Sequence, residues 1–171
     1  MSAHRPYRVT VVCTGNICRS PMGELLLRER FAEAGLADRV VVDSAGTHSW
    51  EVGNPADPRT LAVLARNGHD DLGGGHVARR FERAWLDEVD LVLAADSGHL
   101  RELTELARTE EQRAKIRMFR SFDADAAARG DLDMDDPWYG DDSAFDQTYA
   151  EVTAAADGVV EHVRRALTSR A

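Results

Sequence analysis

The stretch Val12-Cys13-Thr14-Gly15-Asn16-Ile17-Cys18-Arg19-Ser20-Pro21 gathers a thiol, an arginine and a hydroxyl into one short segment. A loop of this kind, closing onto a helix N-terminus, aims successive backbone N–H groups at one point. Together with the helix dipole these form an anion site. Arg19 adds a planar fork that grips two phosphate oxygens at once, which a lysine does not. A helix N-terminus and a neighbouring cation favour the thiolate of a cysteine, so Cys13 is expected to attack phosphorus as a nucleophile. Gly15 lets the backbone approach a phosphate closely, and Asn16 tolerates a positive φ. Ser20 is expected to cap the helix while hydrogen-bonding the sulfur. Thr14, Gly15, Asn16, Ile17, Cys18 and Ser20 are thus the expected substrate-binding residues of the loop.

The loop needs a strand before it and a helix after it. Tyr7–Val12 is a short β-rich run read as the first strand. Ser20-Pro21 opens a helix running to about Ala34, where Gly35 stops it. Val40–Val42 reads as a second strand, and Asp57-Pro58 as the start of a helix ending near Gly68. Leu91–Ala95 reads as a buried third strand. Ser97 or a neighbour then caps a helix through Ala107, and Ile116–Phe119 follows as a fourth strand. Ser143 is placed as the cap of the last helix. There Phe145, Tyr149, Val152, Ala156, Val159, Val163 and Leu167 recur at helical spacing. Strands alternating with helices predict an α/β fold: a four-stranded parallel sheet covered by helices on both faces, in the flavodoxin-like order 2-1-3-4. Such folds bind ligands at the carboxyl ends of the strands, where the Cys13 loop falls.

Composition narrows the function. The 171 residues suit a single domain, 1–171, with no internal repeat or linker. A net charge of −9 with scattered basic residues argues against nucleic acid and acidic membranes as partners. No apolar run approaches a membrane span, and Met1 to Pro6 lacks the apolar core of a secretory signal, so a cytoplasmic location is expected. The two cysteines lie too close together to be a structural disulfide framework. No His/Cys cluster has zinc spacing, so neither metal nor cofactor is expected.

Residues 12–21 resemble the active-site loop of the low-molecular-weight protein tyrosine phosphatases, as found in bacterial members. Further segments continue the likeness: Asp43-Ser44-Ala45-Gly46-Thr47, Gly53-Asn54-Pro55-Ala56-Asp57, His76-Val77-Ala78-Arg79 and Asp136-Pro137-Trp138-Tyr139-Gly140. The resemblance implies hydrolysis of phosphotyrosine through a phosphocysteine, with Cys13 as nucleophile, Arg19 as phosphate clamp and Asp136 as general acid. Taken alone, Asp131, Asp133, Asp135 and Asp136 would be a solvated acidic run. It also implies that Ser44 hydrogen-bonds Asn16, that His76 stands structurally behind the loop, and that Trp50, Trp138 and Tyr139 wall the cleft. Asp96 is either a site residue or a helix cap. The partners implied are phosphotyrosyl proteins, a bacterial tyrosine kinase among them, with the enzyme acting as a monomer.

Three rivals are weaker. An arsenate reductase of this fold relays oxidation through further cysteines, and none follows Cys18. A protein-arginine phosphatase of this fold carries threonine where this chain has Ile17 and lacks the double aromatic after Asp-Pro. A non-catalytic phosphate-binding module would be expected to lose Cys13 or Asp136. Three departures from the family stand out: Gly23 in place of alanine, a longer stretch His69–Gly75 expected to be a mobile surface loop, and Trp138 in place of tyrosine.

Overall fold

The computed structural model describes residues 4–69 and 75–170. Most of the expected glycine-rich loop falls in 70–74 and lies outside the described residues. The order of elements is β1 (Tyr7–Cys13), α1 (Arg19–Glu33), β2 (Val40–Gly46), α2 (Pro58–Arg66), β3 (Leu91–Ala94), α3 (Ser97–Leu106), α4 (Glu110–Ala114), β4 (Ile116–Met118), α5 (Ala124–Arg129) and α6 (Asp142–Ser169). Short 3-10 turns cover Arg83–Asp87, Phe119–Phe122 and Pro137–Tyr139. All strand pairs are parallel, in the order β2-β1-β3-β4, as expected.

Each strand faces two ways, as the alternation of a pleated strand requires. Val9 and Val11 of β1, with Leu91 and Leu93 of β3, face α1, α2 and α6. Val12, Val92 and Ala94 face the other way, against Leu103, Ala107, Phe81 and Leu86 around α3. Phe31, Phe119 and Phe145 are fully buried on the first face. Each such ring contributes roughly 1.5–3 kcal/mol on leaving water.

Several boundaries differ from the sequence reading for identifiable reasons. Strand β2 continues past Val42 to Gly46, in register with β1 up to the pair Cys13–Gly46. Its polar residues are satisfied inside the fold, Asp43 by the Thr10 hydroxyl and Ser44 by Asn16. Helix α1 begins at Arg19, and Ser20 does not cap it, because the Ser20 hydroxyl is turned toward the loop. Asp141 rather than Ser143 caps α6, accepting from the Ser143 amide at 3.0 Å. Asp57 caps α2, and Asp96, the neighbour of Ser97, caps α3.

Gly23 has a packing reason. A Cβ there would lie 2.8 Å from the Phe119 ring and 3.0 Å from Val11 Cγ1, so α1 presses on the sheet at the position that lacks a side chain.

Candidate active site

Strand β1 delivers Cys13 to the carboxyl edge of the sheet, and the chain then turns into α1. The Thr47 and His48 amides bond the Cys13 and Thr14 carbonyls at 2.9 and 3.1 Å. Gly46 permits this approach, since a Cβ there would sit 2.5 Å from the Thr14 carbonyl oxygen.

Asn16 is the pivot of the loop. Its φ is 61°, in the left-handed region where asparagine costs little. Its Nδ2 donates to Ser20 Oγ at 2.8 Å and Ser44 Oγ at 2.9 Å, and its Oδ1 accepts from the Arg79 amide at 2.9 Å. His76 Nε2 donates to the Asn16 carbonyl at 2.7 Å. Ser44 hands its own proton to the buried carboxylate of Glu24 at 3.2 Å. Asn16, Ser20 and Ser44 are buried behind the loop, so their side chains hold its shape rather than face a substrate.

Arg19 has a side chain only 2% exposed. Its Nη1 donates to Asp96 Oδ2 at 2.8 Å and to the Met134 carbonyl at 2.6 Å. Its Nη2 lies 3.4 Å from Thr14 Oγ1 and 3.7 Å from Asp136 Oδ2. Burial opposes the guanidinium charge, but Cys13, Asp136 and Asp96 outweigh it and hold Arg19 above its ordinary pKa. Asp96 is likewise held below the ordinary carboxylate range: burial works against that, and His99 and Arg19 overcome it. Asp96 is thus both helix cap and site residue.

Asp136 comes from a loop 123 positions after Cys13 (136 minus 13). Its Oδ1 accepts from the Trp138 amide at 3.1 Å, capping the turn Pro137–Tyr139 and leaving Oδ2 toward Arg19. The preceding segment is stitched down. Met134 N–H bonds the Ala95 carbonyl at 3.0 Å, Ser97 N–H bonds Asp133 at 2.7 Å, and buried Arg120 grips the Asp133 carbonyl at 2.7 Å. Asp133 is therefore a structural acceptor, not one more solvated charge of an acidic run. Arg59, paired with Asp57, reaches the Trp138 and Gly140 carbonyls at 3.4 Å each.

A cleft of about 170 Å³ opens above this arrangement. Cys13, Thr14, Gly15, Ile17, Cys18 and Arg19 form its floor, with Asp136 at its side. Trp50, Trp138 and Tyr139 stand at its mouth, 74%, 51% and 83% exposed. Trp50 stacks on His48 at 4.4 Å, and Trp138 meets Tyr139 edge-on at 5.1 Å. Burial first, then the negative charges of Asp57 and Cys13, push the Cys18 thiol far above its ordinary value.

Sequence reading missed Glu24, Arg59, His99 and Arg120. None belongs to a motif with a chemical spacing. The apolar residues around Glu24 and His99 give only the helices that carry them. The Met134 carbonyl carries no side-chain signal at all.

The arrangement suits a thiolate attacking a dianion held by an arginine, with a carboxyl group beside the leaving oxygen. The description "low molecular weight phosphotyrosine protein phosphatase" belongs to the family whose profile matches residues 8–169. The chain is 50% identical over 165 residues to a low molecular weight protein-tyrosine-phosphatase of Streptomyces coelicolor, covering 96% of this chain and 98% of that one. A protein tyrosine phosphatase from Entamoeba histolytica superposes with a TM-score of 0.85 over 94% of this chain and 98% of that one, and at 24% identity this is a likeness of fold. The Drosophila arginine phosphatase has a TM-score of 0.80 at 28% identity, over 91% and 96% of the two chains.

Proposed function

This chain belongs to the low-molecular-weight phosphotyrosine protein phosphatases, and we propose that within it Cys13 is the nucleophile, Arg19 the phosphate clamp and Asp136 the general acid. It is a protein-tyrosine phosphatase, a hydrolase that works through a phosphocysteine. The observation that carries the residue roles is the meeting of groups far apart in the chain. Arg19, at the end of the Cys13 loop, lies 3.7 Å from Asp136.

The reaction follows from these positions. The buried Arg19 fork binds two phosphate oxygens, and backbone N–H groups of the loop take the others. The Cys13 thiolate forms the S–P bond while the P–O bond to the phenol breaks. The departing electron pair goes to the phenolic oxygen, whose conjugate acid has a pKa of about 10, so protonation by Asp136 matters. In the second step the Asp136 carboxylate takes a proton from water as that water attacks phosphorus. The S–P bond breaks, and phosphate and the Cys13 thiolate are released.

We read the substrates as phosphotyrosyl proteins, with a tyrosine kinase of bacterial type as one candidate, and the enzyme as a cytoplasmic monomer. The net charge of −9 supports protein rather than nucleic-acid partners. Among the described residues no helix is long and apolar enough to cross a membrane. The aromatic mouth supports a phenyl ring, since such contacts add about 0.5–1.5 kcal/mol beyond buried area.

Kinetics on matched phosphotyrosyl, phosphoseryl and phosphoarginyl peptides test this substrate reading. A strong preference for phosphotyrosine is expected, with Trp50→Ala and Trp138→Ala raising the peptide KM and leaving phosphate inhibition nearly unchanged. Comparable hydrolysis of phosphoserine, or faster hydrolysis of phosphoarginine, would overturn it.

A further inference from the structure

The Arg19 guanidinium rests on three acceptors: Asp96 and the Met134 carbonyl through Nη1, and Thr14 Oγ1 through Nη2. Two of these, Asp96 and Thr14, are joined by one buried side chain. The His99 backbone N–H donates to Asp96 Oδ1 at 3.1 Å, and the Asp96 N–H donates back to His99 Nδ1 at 3.2 Å. The far nitrogen, Nε2, stands 2.8 Å from Thr14 Oγ1. Arg19, Asp96, His99 and Thr14 therefore form a closed ring of contacts spanning the loop and the starts of α1 and α3.

The chemistry of the ring decides where its protons lie. His99 Nδ1 is also 3.2 Å from Asp96 Oδ1, so a proton on Nδ1 would point at that carboxylate. The Asp96 N–H has His99 Nδ1 as its acceptor, and an amide left without one in such a site is costly. The carboxylate is already served by the His99 N–H and by Arg19. Nδ1 is therefore the acceptor and Nε2 carries the proton. Burial lowers His99 to about 4, so the ring stays neutral near pH 7. Nε2–H and Arg19 Nη2 then both donate to Thr14 Oγ1, occupying both lone pairs of the hydroxyl.

We propose that His99 is a positioning residue for the phosphate clamp, holding Thr14 and Asp96 so that the Arg19 guanidinium keeps the plane a bidentate phosphate contact needs. This rests on the reading of Arg19 as that clamp. An arginine fork gains its advantage from being held in place before the anion arrives. His99 touches neither the substrate nor the reacting atoms.

Inhibition by inorganic phosphate, measured beside thermal melting, tests the proposal on His99→Phe, His99→Gln, Thr14→Val and the His99→Phe/Thr14→Val pair. His99→Phe keeps the ring shape without its nitrogens and should raise the phosphate inhibition constant about tenfold in folded protein, with Thr14→Val similar. The double variant should be no worse than either single one. His99→Gln, whose amide N–H can stand in for Nε2–H, should return the constant to within about threefold of wild type. A packing role alone would lower thermal stability while leaving phosphate inhibition unchanged. Wild-type phosphate inhibition in folded His99→Phe, or additive effects in the double variant, would overturn the proposal. Should His99→Phe fail to fold, Thr14→Val decides, and unchanged inhibition there overturns it. Arg19→Lys separates the two levels. If it too leaves phosphate inhibition unchanged, the clamp assignment fails; if it alone weakens inhibition, only the role of His99 fails.

Discussion

Ser20 Oγ lies 3.0 Å from the Cys13 sulfur while accepting a 2.8 Å bond from Asn16 Nδ2, and toward a Cys13 thiolate the hydroxyl is the donor. The thiolate is the leaving group when the phosphocysteine breaks down, and this hydrogen bond stabilises it there. Ser20→Ala should slow that second step, with kcat falling about tenfold or more, because bonds to charged groups contribute about 1.5–3 kcal/mol. A larger pre-steady-state burst of p-nitrophenol is the expected signature. A kcat loss with no change in the burst would place the defect elsewhere.

Asp136 should matter in proportion to the basicity of the leaving group. Asp136→Asn is expected to slow phenyl phosphate and phosphotyrosine by about 10²–10⁴, and p-nitrophenyl phosphate far less. Exposed Asp135→Asn should be mild with both substrates. Equal losses on the two substrates for Asp136→Asn would assign this carboxylate a structural role.

Gly23→Ala sets two effects against each other. Alanine in a helix interior gains about 1 kcal/mol over glycine, but filling a tight core costs about 1–3 kcal/mol. The Phe119 ring 2.8 Å from the new methyl is itself fully buried and has nowhere to swing. A net loss of about 1 kcal/mol is expected, seen as a Tm lower by roughly 2–4 °C. A raised Tm would show that α1 shifts freely.

Stability should fall in mild acid. His99 ordinarily titrates near 6.5 and is lowered to about 4, by burial before any other cause. Between those values the unfolded chain takes up a proton that the folded chain refuses, so stability present at pH 7 is lost as pH falls through 6.5 toward 4. Between pH 7 and 5 the loss from this one group is about 2 kcal/mol. His162, also lowered by burial, acts in the same direction. Urea midpoints at pH 7 and 5 measure the total, and a flatter dependence in His99→Phe isolates the share of His99. Identical slopes in the two proteins would show that His99 titrates normally.

Cys18 shares the cleft floor with Cys13. Mild peroxide should give a reversible disulfide between them, restored by dithiothreitol, whereas Cys18→Ser should lose activity for good. The buried, protonated state of Cys18 should make disulfide formation speed up as pH rises. Wild-type Cys13 recovered as sulfonic acid under mild peroxide would exclude this protection.

The Cys13 loop and the sheet order were legible because each depends on neighbours in sequence: a strand, a turn with Gly15 and Asn16, a helix start. Asp136 was legible only through its likeness to a known family. Arg120, Arg59 and His99 were not legible, because what they hold lies far away in the chain. His99 and Thr14 are 85 positions apart, and Arg59 and Trp138 are 79 apart. Ser20 was misplaced as a cap because a serine before a proline at a helix start normally is one. Here Asn16 and the Cys13 sulfur compete for the same hydroxyl and win it.

The anchoring of Arg19 has a consequence during synthesis. Its two short-range acceptors arrive 77 and 115 positions after it, and the Met134 carbonyl precedes the last helix, which seals the face of α1. A nascent chain therefore presents Cys13 and Arg19 to the cell long before it can use them. With Cys13, Arg19 and Asp136 in the roles proposed, the site is complete only when almost the whole chain has emerged. A prematurely ended product lacking β3 or the Asp136 loop would be an inert chain with a free thiol, not a weak or unselective phosphatase.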